Sequence, residues 1–155
     1  MDDRKYLDEA VALARQSVEM GDGPFGALIV RDGEVIGLGH NCVTSDNDPT
    51  AHAEIVAIRA ASKALNDFSL NGSILYASCE PCPMCLAAAY WARVDRVVYA
   101  ASAEEVAAIG FDDKVIAQQL FLPTEERSIP MERIPLESIN EVLSLWDLKE
   151  DKVRY

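Results

Sequence analysis

Residues 73–101 constrain this chain more than any other stretch of it. An apolar run over 73–78 has the length and character of a buried strand, and a second such run covers 96–101. Between them lies an Ala-rich segment predicted to be helical over 83–93. Pro83 suits its first position, where a missing N–H costs nothing and the fixed φ already fits the helix. Strand, helix and strand with short joints read as a right-handed crossover, parallel and buried on both faces. Upstream, strand-like runs over 25–31 and 34–40 are separated by Asp32-Gly33, a strong hairpin signal. A hairpin feeding a crossover gives an α/β fold, a mixed sheet covered by helices. Ligand sites in such sheets fall at the carboxyl ends of the strands.

The remaining segments frame that unit. Leu7, Ala10, Val11, Ala14 and Val18 repeat at helical spacing over 3–20, and Gly21 marks the stop. A polar loop is expected over 41–48. Asp48-Pro49 or Thr50 is then expected to cap a helix bearing Ile55, Ile58, Ala61 and Leu65 on one face. Later comes a short helix over 111–120 capped by Asp112 or Asp113, and a proline-rich connection over 121–135 with an edge strand near Ile129. Ser138 and Glu141 have capping-box spacing ahead of an apolar stripe of Ile139, Val142, Leu143 and Trp146. The length suits one domain, residues 1–155, with 136–155 as a C-terminal helix and tail that must dock on its own domain or on a partner.

Bulk charge narrows the partners. Fourteen basic residues against twenty-six acidic leave a net charge of −12, with no basic cluster to neutralise a phosphate backbone. Nucleic acid is therefore an unfavoured partner, and a small neutral substrate suits the charge. No run approaches the roughly 20 apolar residues of a membrane span, and the first residues carry no signal-peptide core, so no membrane partner and a cytoplasmic location are expected. Three of the four cysteines, Cys79, Cys82 and Cys85, crowd into seven residues, which in such a chain points to metal rather than disulfides.

Cys82 and Cys85, three apart at a helix start, lie on one side of its first turn, where the helix dipole favours thiolates. His52 and Glu54 open the preceding helix. His52, Cys82 and Cys85 as three ligands would leave the fourth tetrahedral position of a zinc ion for water, the arrangement of a catalytic rather than a closed structural site. Two residues apart in mid-helix, His52 and Glu54 would point away from each other; at a helix start both can converge beyond the end of the axis. Glu54 is then placed to shuttle a proton. Adding Cys79 would instead close a four-ligand structural site, although Glu80 and Pro81 set it apart at the strand end. For His40 and Cys42, a strand-end imidazole and a buried thiol are the plainer readings.

His52-Ala53-Glu54 with Pro81-Cys82-Pro83-Met84-Cys85 resembles the cytidine deaminase superfamily, in its nucleobase and tRNA-adenosine deaminase branch. Residues 23–27, 47–54 and 90–93 are similar to that branch too. Gly110-Phe111-Asp112-Asp113, residues 125–127 and the terminal Tyr155 resemble the bacterial guanine deaminases. The resemblance implies a three-layer αβα fold with a central mixed sheet of about five strands, and a homodimer whose C-terminal arm covers an active site, its own or, by arm exchange, its partner's. It also implies roles for single residues. Asn41 would hydrogen-bond a purine, with Ala53 beside it in the pocket; Phe25 and Trp91 would line the pocket or stack on the ring. Asp113 would accept protons from the base and help the leaving amine, and Tyr155 would close the lid.

The function expected from this is zinc-dependent hydrolytic deamination of a free purine base, guanine first. Rival expectations are a tRNA-adenosine deaminase, a deaminase of cytosine, guanosine or another aminated heterocycle, and a zinc-stabilised scaffold with no turnover. An acid–base residue at 54 has no use in the scaffold.

Overall fold

The computed structural model describes residues 2–155. They fall into two units, residues 2–113 and 114–155.

The first unit is built on a hairpin. Strands β1 (Gly26–Arg31) and β2 (Glu34–His40) pair antiparallel across Asp32-Gly33. Both turn residues have positive φ, 52° and 83°, which suits the right-handed twist of the flanking strands. β3 (Ser73–Cys79) runs antiparallel to β1, and β4 (Arg96–Ala101) parallel to β3, giving the order β2-β1-β3-β4. The sheet has four strands, not the five expected. Among the described residues none forms near Ile129, where Pro130 and Pro135 withhold ladder donors.

Alternation along β1 sorts the helices into layers. Leu28 and Val30 face Tyr6 and Ala10 of α1 (Asp3–Glu19), together with Tyr76. Ala27 and Ile29 face the other way, onto Ala53, Ala57 and Ala61 of α3 (Ala53–Leu65) and Ala89 and Ala92 of α4 (Pro83–Ala92). This is the expected αβα sandwich. The small residues on α3 allow close approach: a Cβ on Gly37 or Gly39 of β2 would lie 2.4 Å or 2.2 Å from a backbone carbonyl oxygen of α3.

Three details differ from expectation. The loop after β2 contains a short helix, α2 (Val43–Asp46). α3 begins at Ala53 with His52 as its N-cap, because the Asp48 carboxylate accepts from the Thr50 N–H and hydroxyl and so turns the loop instead of capping the helix. A capping box forms between Ser102 and Glu105 at the start of α5 (Ala103–Ala107), not at Ser138.

α1 is tied to the far strand by Asp3, which accepts from the Tyr76 hydroxyl at 2.6 Å and pairs with Arg96 at 2.7 Å. Burial, and then the bond to Asp3, push the Tyr76 phenol up to about 12. A raised folded-state pKa means stability intact below the unfolded tyrosine value of about 10 and lost as pH climbs through about 12. Urea midpoints are therefore expected to fall between these two pH values. Tyr76→Phe should flatten that fall while costing about 1 kcal/mol at neutral pH. Identical alkaline slopes in the two proteins would contradict the assignment.

The second unit holds α6 (Lys114–Phe121), a 3₁₀ turn (Thr124–Glu126) and α7 (Ser138–Leu148). Within it, Arg127 Nε donates to the Leu122 carbonyl at 3.1 Å, and the Ser128 N–H to Gln119 at 2.6 Å. α7 starts one residue ahead of the expected box, so Ser138 is its first helical residue and Glu137 its cap, with no side-chain capping bond. Ile139, Val142, Leu143 and Trp146, the expected stripe, are all exposed in the single chain.

Candidate metal centre

β1 is antiparallel to both β2 and β3, so the carboxyl ends of β2 and β3 lie at the same end of the sheet. α3 and α4 start beyond those ends and pack on the same face, which brings their N-caps, His52 and Cys82, together. Both caps have extended backbone (ψ 152° and 167°) and make no side-chain cap bond, leaving imidazole and thiol available. Pro83 holds the first position of α4, as expected, and Cys85 follows one turn on with its sulfur buried.

His52 Nδ1 stands 3.6 Å from Cys82 Sγ and 3.5 Å from Cys85 Sγ, and the three ligand atoms lie within 4.8 Å of one another. Tetrahedral zinc with bonds of about 2.3 Å to sulfur and about 2.05 Å to nitrogen would set N and S about 3.6 Å apart. The residues fit that ion. Among the described residues no other group of three His, Cys, Asp or Glu side chains meets this spacing.

The electrostatics are those of a half-deprotonated pair. Hydrogen bonding from Cys85, and then from His52, draws the Cys82 thiol down to about 4. Cys85, hydrogen-bonded to Cys82 and buried near Glu54, is pushed up. The bond to Cys82 raises His52. A dication taken up here would discharge the remaining thiol proton, since a thiolate is the binding form.

Glu54, in the first turn of α3, is only 8% exposed. Burial, and to a lesser degree the Cys82 charge, raise its pKa. A carboxyl held above its ordinary range beside a nucleophile site suits proton transfer near neutral pH.

The other expected residues divide. Ala53 is buried as the first residue of α3. Asn41 is 5% exposed, and its Oδ1 accepts from the Val43 N–H at 3.1 Å. Phe25 packs partly on the core and meets Phe111 edge-on, ring centroids 4.9 Å apart. Asp113 is partly buried, and burial and then the Cys82 charge raise its pKa, so it feels the cluster. Trp91 is not brought to the cluster: it is 66% exposed on α4, off the buried face of Cys85 and Ala89, beside a shallow depression of about 410 Å³ lined with Ala87 and Tyr90. Tyr155 is exposed and belongs to the second unit.

Cys79 stays at the end of β3, half-buried, with the Ser78 hydroxyl 3.6 Å from its sulfur, and burial raises its pKa. Cys42 lies 3.5 Å from His40 Nδ1 and is likewise raised by burial. One buried carboxylate lies outside the expected set: Asp22 stands beneath the Asn41 turn, and its Oδ2 has no hydrogen-bond partner among the described residues. Its only signal was an acid next to Gly21 and Gly23, which reads as loop.

Residues 1–101 match the model of the cytidine and deoxycytidylate deaminase zinc-binding region. The chain is 47% identical to guanine deaminase of Bacillus subtilis (strain 168) over 156 residues, covering 100% of both proteins. A crystal structure of guanine deaminase from Bacillus subtilis superposes with a TM-score of 0.96 at 47% identity, covering 100% of this chain and 99% of that one. The tRNA-specific adenosine deaminase of Aquifex aeolicus (strain VF5) is 36% identical over 139 residues, 90% of this chain and 89% of its own length.

Proposed function

Because this chain belongs to the cytidine and deoxycytidylate deaminase zinc-binding family, we propose that it is a zinc-dependent hydrolase that converts guanine and water to xanthine and ammonia. The observation that carries the choice of base is the end-to-end match to a guanine deaminase, which continues past residue 101, where the family model stops, and through the second unit.

His52, Cys82 and Cys85 are the residues that would hold the zinc. When bound, the metal supplies Lewis acidity that makes water acidic enough to act as a nucleophile at neutral pH. Glu54 accepts the proton that the attacking water gives up. It passes that proton to the ring nitrogen, then another to the exocyclic amine as the C–N bond breaks and ammonia leaves. Burial keeps Glu54 out of bulk solvent, so the proton stays on the path between nucleophile and leaving group. Asn41 hydrogen-bonds the base, with Ala53 and Phe25 lining its pocket. Asp113 accepts from the N–H groups of guanine's amide-like edge and assists the leaving amine.

Tyr155 and the apolar side chains of α7 are read as parts of a homodimer in which the C-terminal arm closes a site, its own or its partner's. The support is the exposure of Ile139, Val142, Leu143 and Trp146, a stripe too apolar to be left to water. Among the described residues no helix is long and apolar enough to cross a membrane. We read the enzyme as cytoplasmic, in keeping with its four free thiols.

The identity to a tRNA-specific adenosine deaminase supports a second reading, against which stands the net charge of −12. Ammonia release from guanine, guanosine, adenine, cytosine and a tRNA anticodon hairpin separates the two. Guanine should lead in kcat/KM by at least about a hundredfold. Preference for the hairpin would overturn the proposal, and release from none of them would favour a scaffold.

A further inference from the structure

Asn41 is held from several sides. Its N–H donates to the Phe25 carbonyl at 3.0 Å, and its carbonyl accepts from the buried Ser17 hydroxyl at 3.0 Å. Its Oδ1 accepts from the Val43 N–H at 3.1 Å. A backbone N–H can only donate, so the side-chain atom facing it is the oxygen, and the amide nitrogen of Asn41 is turned away to donate elsewhere. That orientation depends on where Val43 stands. Val43 is the first residue of α2, which has only four residues and no side-chain cap from Cys42. A helix that short does not hold itself.

Asp22 supplies what α2 lacks. Its Oδ1 accepts from the Thr44 N–H at 2.8 Å and the Ser45 N–H at 3.0 Å. Its own N–H donates to the Ser17 carbonyl at 3.0 Å, which fastens the arrangement to the end of α1. At 8% exposure the carboxylate stands beneath the turn rather than in solvent. Hydrogen bonding from Ser45, with the Thr44 N–H adding to it, holds its pKa below the usual carboxylate range, so it stays ionised at neutral pH.

We propose that Asp22 is a positioning residue for substrate binding: it fixes the turn after Asn41 so that the Asn41 amide presents its N–H₂ to an acceptor on the base. This rests on the reading of Asn41 as a base-binding residue. The role needs no contact between Asp22 and substrate. It acts on affinity and not on proton transfer.

The test is a double-mutant cycle with guanine, reading kcat, KM and zinc content for Asp22→Ala, Asn41→Ala and the pair. Asp22→Ala should raise KM about tenfold, the size of one well-formed hydrogen bond, with kcat within about twofold and zinc retained. Asp22→Asn keeps an acceptor oxygen and should stay within about threefold of the wild-type KM. In the Asn41→Ala background, removing the Asp22 carboxylate should change KM by less than about twofold. An equal rise in KM with and without Asn41, or a loss confined to kcat, would overturn the inference. If Asn41→Ala raises KM and Asp22→Ala does not, this inference alone fails. If Asn41→Ala leaves KM unchanged, the reading of Asn41 fails and takes this one with it. Should Asp22→Ala not fold, Asp22→Ser, whose shorter side chain withdraws the acceptor from the Thr44 and Ser45 N–H groups, runs through the same cycle with the same rise of about tenfold expected; no rise, or one that persists without Asn41, overturns the inference equally.

Discussion

Glu54→Gln is expected to retain zinc and lose about three to four orders of magnitude in kcat, the upper range for one general acid–base group. The substitution keeps size and burial and removes only the ability to carry a proton. Nothing else in the first turn of α3 can replace it: Ala53 has no polar group and His52 is committed to the two sulfurs. The raised pKa of Glu54 comes first from burial, so it is a property of the fold and not of a neighbouring charge alone. The check is kcat measured alongside elemental analysis of the same preparation. Near-normal turnover in a zinc-loaded variant would remove Glu54 from the reaction. Lost zinc would mean that the carboxylate supports the ligands instead.

Gly39→Ala is the second large effect. A methyl group there would meet the Ala53 carbonyl oxygen at 2.2 Å and the Ala57 nitrogen at 2.6 Å, both backbone atoms that no rotamer change can move. α3 must shift outward to admit it, and the turn that shifts is the one carrying His52 and Glu54. A cost of about 3 kcal/mol is expected, with zinc occupancy reduced as well. For a chain of this size that is a fall in Tm of roughly 10 °C. Gly33→Ala is the control, because its Cβ would meet nothing within 4 Å and only the positive φ opposes it. That change should cost about 1 kcal/mol and leave zinc unaffected. Wild-type Tm and zinc content in Gly39→Ala would show that α3 is not held by this contact.

What could be read from the residues alone follows from how local the signals are. Asp32-Gly33 dictates a hairpin by backbone conformation, and the hairpin is there. Strand, Pro83 and an Ala-rich run dictate the crossover, and the cysteine spacing dictates that Cys82 and Cys85 share a turn. The start of α3 is less legible: Asp48 and Thr50 are both preferred cap residues, but they bond to each other, and the helix begins later with His52 at its cap position. Capping boxes show the same competition. Ser102 with Glu105 made one and Ser138 with Glu141 did not, since α7 begins a residue early and Ser138 lies inside it. Aromatic residues are least legible. Phe25 and Trp91 read alike as pocket residues, yet one packs partly on the core and the other is exposed on α4. Asp22 is barely legible, because the partners of its carboxylate lie more than twenty residues away and its flanking glycines read only as loop.

Zinc content across a cysteine series tests the centre most directly. Elemental analysis of the purified protein should find one zinc per chain, unchanged in Cys79→Ser and lost in Cys82→Ser, Cys85→Ser and His52→Ala. Zinc lost on changing Cys79, or kept in full after changing Cys82 and Cys85 together, would contradict the three-ligand site.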